Sequence, residues 1–243
     1  MNEDQVRAKL GKYDAHTQAE AIKEVLRNKY KASLYLTAKD LLEYDDISRP
    51  THEGIISALE APTKRKLIVV PRGCFKSSIG VVSYSIQSLF INPNLRILID
   101  SELYENSKNF IREVRGKLEL PRVVALFGDS RGDQWSEGSI TIKQRTRVLK
   151  EASITAGGVG TGKVGQHYDL VIMDDLNSNR NSQTPEQCRK VIEHYKLTTS
   201  ILEPEGTMVI IGTRYSAADT IGYVIETEIL PQGLISENLQ PIL

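Results

Sequence analysis

The residues able to do chemistry fall into four short clusters. The first is PRGCFKSS, Pro71 to Ser78, which an apolar run, Leu67 to Val70, enters and a helical pattern leaves. A strand, a tight loop and then Lys-Ser at a helix start is how a phosphate-binding loop is built. Backbone N–H groups and the positive end of the helix face an anion, Lys76 adds a mobile cation, and Ser77 supplies a hydroxyl suited to Mg²⁺. The standard pattern G-x-x-x-x-G-K-[ST] needs glycines where this chain has Val70 and Phe75, leaving Gly73 alone in the loop. The segment therefore also reads as a basic turn before a helix. The second cluster, GGVGTGKV (Gly157 to Val164), satisfies G-x-x-x-x-G-K but has Val164 where a metal-binding hydroxyl belongs, and an apolar run follows it where a helix should. It reads better as a flexible Gly-rich segment presenting Lys163 to a ligand.

The third cluster is Asp174-Asp175, which ends the run Leu170 to Met173. A carboxylate at the C-terminal end of a buried parallel strand is where a nucleoside triphosphatase holds Mg²⁺ through water, and a second beside it can orient or deprotonate the attacking water. Most such enzymes use Glu at that second place; Asp is one methylene shorter. Two acids that simply end a strand are the plainer alternative. In the fourth cluster, Met208 to Ile211 runs into Gly212-Thr213-Arg214. A polar residue at such a strand tip can contact a terminal phosphate, although the tripeptide is also a common strand-end turn.

These clusters need a scaffold that gathers strand ends. The runs Leu67 to Val70, Leu95 to Ile99, Leu170 to Met173 and Met208 to Ile211 have the length and continuity of strands buried on both faces. Between them Lys76 to Phe90, Leu103 to Leu118 and Pro185 to Ile201 read as helices, the last with Thr184 as N-cap and Pro185 at its first position. The alternation predicts an α/β fold with a parallel sheet covered on both sides. From Ala15 to about Tyr44, apolar residues Ala19, Ile22, Val25 and Leu26 recur at helical spacing, with no Gly or Pro between Lys12 and Arg49. This predicts a helical appendage over residues 1–50 before a core over 51–235. Alternation around Ile140 and Ile142 predicts an inserted antiparallel pair within Trp135 to Thr155.

Composition excludes several classes. The 243 residues carry 31 Lys+Arg against 31 Asp+Glu and are 40% hydrophobic, which disfavours disorder. Cys74 and Cys188 are too few for a disulfide framework and read as reduced structural thiols. No apolar run approaches the roughly 18 residues needed to span a bilayer, and the polar start MNEDQVRAKL has no signal-peptide core, so a soluble, cytosolic-type chain is expected. Zero net charge argues against a protein that coats nucleic acid. Yet residues 61–80 hold Lys64, Arg65, Lys66, Arg72 and Lys76 and no acid, a local basic patch. His167 and Tyr168, just before the acidic-pair strand, are expected to pack.

In this order the four clusters resemble the ATPase domain of the large terminase subunit, the motor that packages double-stranded DNA into tailed-phage proheads. The resemblance runs from about Arg49 to Ile225. It rests on PRGCFKSS as a deviant phosphate loop with Arg72 four residues before Lys76, on SITAGGVGTGKVGQHYDLVIMDDLNSN (Ser153 to Asn179), and on the coupling motif IIGTRYSAADTIG (Ile210 to Gly222). It implies a RecA-like P-loop NTPase of the ASCE type, with a mostly parallel central sheet flanked by helices and a small helical N-terminal lid, using ATP and Mg²⁺. Arg72, Gly73, Cys74, Phe75, Lys76, Ser77 and Ser78 would surround the phosphates, with Ser77 and Asp174 serving the metal. Asp175 would be the catalytic carboxylate and Thr213 the coupling residue. The family's trans-acting arginine has no unambiguous match; Arg145, Arg147 and Lys163 are candidates. His52, in RPTHEGIISA (Arg49 to Ala58), is either a base contact or an ordinary surface histidine. Implied partners are double-stranded DNA, the prohead and its portal, the small terminase subunit and further copies of the chain in a ring, all in the host cytoplasm and none in a membrane; in isolation the chain could be a monomer. Full-length members continue into a ribonuclease-H-like nuclease, so residues 236–243 are expected to begin a linker and this stretch to cleave no DNA. Two other readings stay open: another RecA-like motor such as a helicase or remodelling ATPase, or a non-enzymatic nucleic-acid-binding module using Lys64 to Lys66, Arg112, Arg115, Arg145 and Arg147.

Overall fold

The structure is a computed structural model that describes residues 14–162 and 165–230. Its centre is a seven-stranded sheet: β1 (Arg65–Val69), β2 (Ile97–Ser101), β3 (Arg131–Trp135), β4 (Ser139–Ile142), β5 (Ile154–Gly158), β6 (Tyr168–Asp174) and β7 (Leu202–Gly212). The spatial order is β1-β7-β6-β2-β5-β4-β3; β4 and β3 are antiparallel and the rest parallel. The strand entering the phosphate-type loop, β1, is thus separated from the acidic-pair strand, β6, by β7. That is the RecA-like arrangement. Register sets Val69 opposite Gly212, and Asp174 opposite both Ile211 and Ser101, so the C-terminal ends of β1, β7, β6 and β2 share one edge.

Helices cover both faces, which is why the strands are continuously apolar. On one face Ile68, Ile97, Ile99, Ile172, Val209 and Ile211 share a core with Ile79, Val82, Ile86, Ile111 and Val114. On the other, Leu98, Val171, Met173, Met208 and Ile210 pack with Val191, Tyr195 and Val224. The α-helices of five or more residues are α1 (Ala15–Lys31), α2 (Arg49–Glu60), α3 (Tyr84–Ile91), α4 (Tyr104–Leu118), α5 (Pro121–Phe127), α6 (Pro185–Ser200) and α7 (Thr220–Val224). Among the described residues no helix is long and apolar enough to cross a membrane.

Several expectations change in detail. The stretch expected to be helical from Ala15 to about Tyr44 is helical but broken: α1 ends at Lys31, a short turn Leu34–Leu36 follows, Thr37 Oγ1 donates to the Tyr30 carbonyl at 2.7 Å, and the chain continues as a π-helical turn, Thr37–Leu41. Tyr30, Leu34, Ala38, Leu41 and Leu42 belong to the same core as Ile79, Val82 and Ile86. The helix expected from Lys76 is π-wound over Ser78–Ser83, where the Ser83 hydroxyl donates to the Ser78 carbonyl at 2.7 Å. The strand expected over Leu95 to Ile99 lies two residues later. The antiparallel pair expected within Trp135 to Thr155 is formed by β4 and β5, with Ser139 opposite Thr155 and Ile140 opposite Ile154; β3 extends it from Arg131, and the Gly-rich end of β5, Gly157 and Gly158, was not foreseen as strand. At α6 the structure matches the expectation: Thr184 caps through a reciprocal capping box with Gln187, and Pro185 sits in the first turn.

Candidate functional site

The loop between β1 and the first helical turn bends through two left-handed residues, Gly73 at φ 83° and Phe75 at φ 50°. Glycine adopts that region freely; phenylalanine does not, so the surroundings must hold Phe75 there. His52 on α2 does part of this, its ring meeting Phe75 edge to face with centroids 5.6 Å apart. His52 is only 4% exposed and its Nδ1 lies 2.9 Å from the Ser48 carbonyl oxygen. It is therefore not a surface histidine, and it does not line the cavity of about 400 Å³ formed by Arg72, Gly73, Phe75, Lys76, Ser77, Ser78 and Asp175. Cys74 is a half-buried free thiol that does not line it either.

Opposite the loop stand the strand ends. Lys76 is 6% exposed; its Nζ lies 2.8 Å from Asp175 Oδ2 and donates to Thr213 Oγ1 at 3.0 Å. The Thr213 backbone N–H donates to Asp175 Oδ1 at 3.2 Å, and its hydroxyl to the Val70 carbonyl at 3.0 Å. Ser77 Oγ donates to the Asp174 carboxylate at 2.9 Å. Asp175 itself sits at φ 42°, a second non-glycine residue in the left-handed region within this small space. Burial, then the charge of Asp175, pushes the Asp174 carboxyl up to about 7, while Ser77 and Lys76 pull it down.

The donor set fits a hard divalent cation. A hydroxyl and a carboxylate converge, the carboxylate is 5% exposed, and its charge is under-compensated by the protein. No group of three or more His, Cys, Asp or Glu side chains able to hold a metal occurs among the described residues, so Ser77 and Asp174 would supply only part of a coordination shell.

Arg72, at the open side, donates from Nη2 to Tyr215 Oη, and its guanidinium stands 5.7 Å from the Tyr215 ring centroid. Tyr215 is fixed by Asp219, a fully buried carboxylate that accepts from the backbone N–H groups of Tyr215 (2.8 Å), Ser216 (3.1 Å) and Gly222 (2.8 Å). Asn177, three residues after Asp174, accepts from the Thr220 N–H at 3.0 Å and ties the acidic-pair loop to this turn. Tyr215, Asp219 and Asn177 were not picked out from sequence. Asp219 carried a signal, being an N-cap type directly before the apolar stretch of α7.

The remaining candidates lie elsewhere. Arg145 gives its Nη1 and Nη2 to the Glu151 and Leu95 carbonyls at 2.7 and 3.0 Å, at the opposite, N-terminal end of the parallel strands. Arg147 is at that end too, its backbone held by Asn94 at 2.9 Å. Lys163 lies outside the described residues. Lys66 is 7% exposed and donates to the Ala58 carbonyl at 3.0 Å and to the Ala61 carbonyl, and its ammonium is pulled below its usual range by burial. Lys64 pairs with Glu205, Arg112 with Glu137, and Arg115 stands over Trp135. Tyr168 packs fully, but His167 does not: its side chain is 59% exposed.

No family model and no curated protein matches the chain. Among solved structures it is similar to a chain from a complex of an S. cerevisiae Dbp5 variant bound to Nup159, a Gle1 variant, IP6 and ADP, at 12% identity and a TM-score of 0.49. The match covers 79% of this chain and 49% of that one, so the chain spans about half the length of that neighbour.

Proposed function

We propose that this chain is the ATPase domain of a nucleic-acid motor of the RecA-like class, and within that class the motor domain of a phage large terminase that drives double-stranded DNA into the prohead. One observation carries the ATPase reading: the loop cluster meets two others that lie 97 to 137 residues further along the chain, within hydrogen-bond distance, as Ser77–Asp174 and Lys76–Asp175–Thr213. Two acids ending a strand by chance would not be engaged by the Lys and Ser of one loop. The terminase reading adds the sequence resemblance, including Arg72, Lys163 and the coupling motif. The non-enzymatic binding module is disfavoured because Lys64, Lys66, Arg112, Arg115 and Arg145 are already bonded, paired or stacked.

In the proposed mechanism Lys76 exchanges its carboxylate partner for phosphate oxygens and neutralises charge that develops on the transferring group. That exchange frees Asp175, held in place by the Thr213 N–H, to orient and accept a proton from the attacking water. Thr213, bonded to Lys76, Asp175 and the Val70 carbonyl at once, changes partners when Lys76 does and passes the change to β7. Ser77 and Asp174 would hold a Mg²⁺, which would supply Lewis-acid charge at the phosphates when bound. Portal, small subunit and neighbouring copies would act on this core, with the trans-acting cation among Arg147, Arg145 and Lys163.

The test is ATP hydrolysis by Lys76→Ala, expected to fall to background; retained turnover refutes the site. Stimulation by proheads, as against strand separation, distinguishes a packaging motor from a helicase.

A further inference from the structure

Arg72 is exposed and belongs to the phosphate-type loop, yet both its charge and its Nη2 are committed to Tyr215. The Tyr215 side of the contact is rigid. Its backbone is one of three amides gathered by the buried Asp219 carboxylate, and the next residue, Ser216, has its hydroxyl 4.0 Å from Cys188 Sγ on α6. A guanidinium that serves phosphate presents the same N–H fork it here presents to a phenol oxygen and ring face. Tyr215 and phosphate are thus competing partners for one cation. The Tyr215 end of that competition belongs to the turn leading directly out of β7, the strand that carries Thr213.

We propose, on the nucleotide-site reading above, that Tyr215 is a positioning residue for Arg72: it holds the guanidinium at the mouth of the loop and releases it to phosphate. Occupancy is then reported twice to the β7 end, through Lys76 and Thr213 inside the site and through Arg72 and Tyr215 at its rim. The second route passes to α6 and α7, because Asp219 caps α7 and Ser216 touches α6.

The experiment is a titration with ADP carrying a fluorescent ribose label, on the full chain, on Tyr215→Phe, on Arg72→Ala and on the double variant. Tyr215→Phe keeps the ring and removes only the competing oxygen. Its affinity is expected to rise about two- to tenfold, the range for one hydrogen bond lost from a competitor. KM for ATP should fall in step, with the change in KM and not in kcat. In the Arg72→Ala background the same substitution should have no effect. Unchanged affinity for Tyr215→Phe, or an equal shift in both backgrounds, overturns the proposal while leaving the nucleotide site intact. If the unaltered chain binds no nucleotide, or if binding survives in Lys76→Ala, the site reading fails and this proposal falls with it.

Discussion

Asp174 is the carboxylate whose protonation the fold most visibly perturbs. Its carboxyl is raised from the ordinary range to about 7, first by burial and then by the neighbouring Asp175 charge. The folded state therefore favours the protonated form. That contribution is complete below the ordinary carboxylate pKa and is lost as pH climbs through about 7, a change of about 2–4 kcal/mol. Thermal melts should show Tm falling between about pH 4 and pH 7 and levelling off above that. Asp174→Asn, which keeps the shape without the charge, should flatten that slope and melt higher at pH 8; an unaltered slope would place the titration elsewhere. Mg²⁺ should raise the Tm of the unaltered chain more at pH 8 than at pH 6, and have little effect on Asp174→Asn. Asp175 differs because its constraint is conformational as well as electrostatic. At φ 42° asparagine is among the best tolerated replacements, so Asp175→Asn should fold normally and bind ATP while kcat drops about 100-fold or more. Normal turnover would move the base to another residue. Lys76, Ser77, Asp174 and Asp175 were legible because each is a polar residue stationed where an apolar run or helix pattern changes. Tyr215 and Asp219 were not, because their importance lies in backbone amides and a cation brought to them only by the fold.

At the scale of elements, the same glycines that hid the end of β5 explain how it packs. The stretch around Gly157 and Gly158 looked like a flexible loop, since glycine weakens a strand and favours turns. In the structure an added Cβ at Gly158 would stand 2.4 Å from the Tyr104 backbone nitrogen and 2.8 Å from its Cα, and one at Gly157 would stand 2.6 Å from Asp100 Oδ1. These glycines let the first turn of α4 and the β2 side chains approach the end of β5. Gly158→Ala must displace backbone, and should lower stability in denaturant unfolding by about 1–3 kcal/mol with an unchanged slope. An effect below a few tenths of a kcal/mol would mean the contact is soft. By contrast α6 was legible to its first residue, because a capping box is written in adjacent positions and needs no tertiary partner. Its strength is correspondingly local: Thr184→Ala should cost about 1 kcal/mol.

For the whole molecule, the alternation of runs announced a parallel α/β sheet, but not the strand order, because insertion of β7 between β1 and β6 joins segments far apart in sequence. The N-terminal part makes the same point. Read alone, residues 1–50 are an amphipathic helical stretch with nothing to say what they cover. In the fold, Tyr30, Leu34, Ala38, Leu41, Leu42 and Ile47 are each no more than 3% exposed and share the core of Ile79, Val82 and Ile86, which follow the phosphate-type loop. Polar ties add to this: Gln87 Nε2 donates to the Lys31 carbonyl at 3.1 Å, and the Leu34 N–H donates to Glu60 Oε1 at 2.6 Å. Leu34, Leu41, Leu42 and Ile47 alone, at about 1.5–3 kcal/mol each, rival the about 5–15 kcal/mol by which a domain of this size is stable. A chain starting at residue 51 should therefore lose its cooperative melt and bind a hydrophobic dye at room temperature. A sharp transition for the shorter chain would make residues 14–50 a detachable lid. Its absence would mean that the loop carrying Lys76 is held in shape by the segment before it, and that whatever moves the N-terminal helices also moves the site.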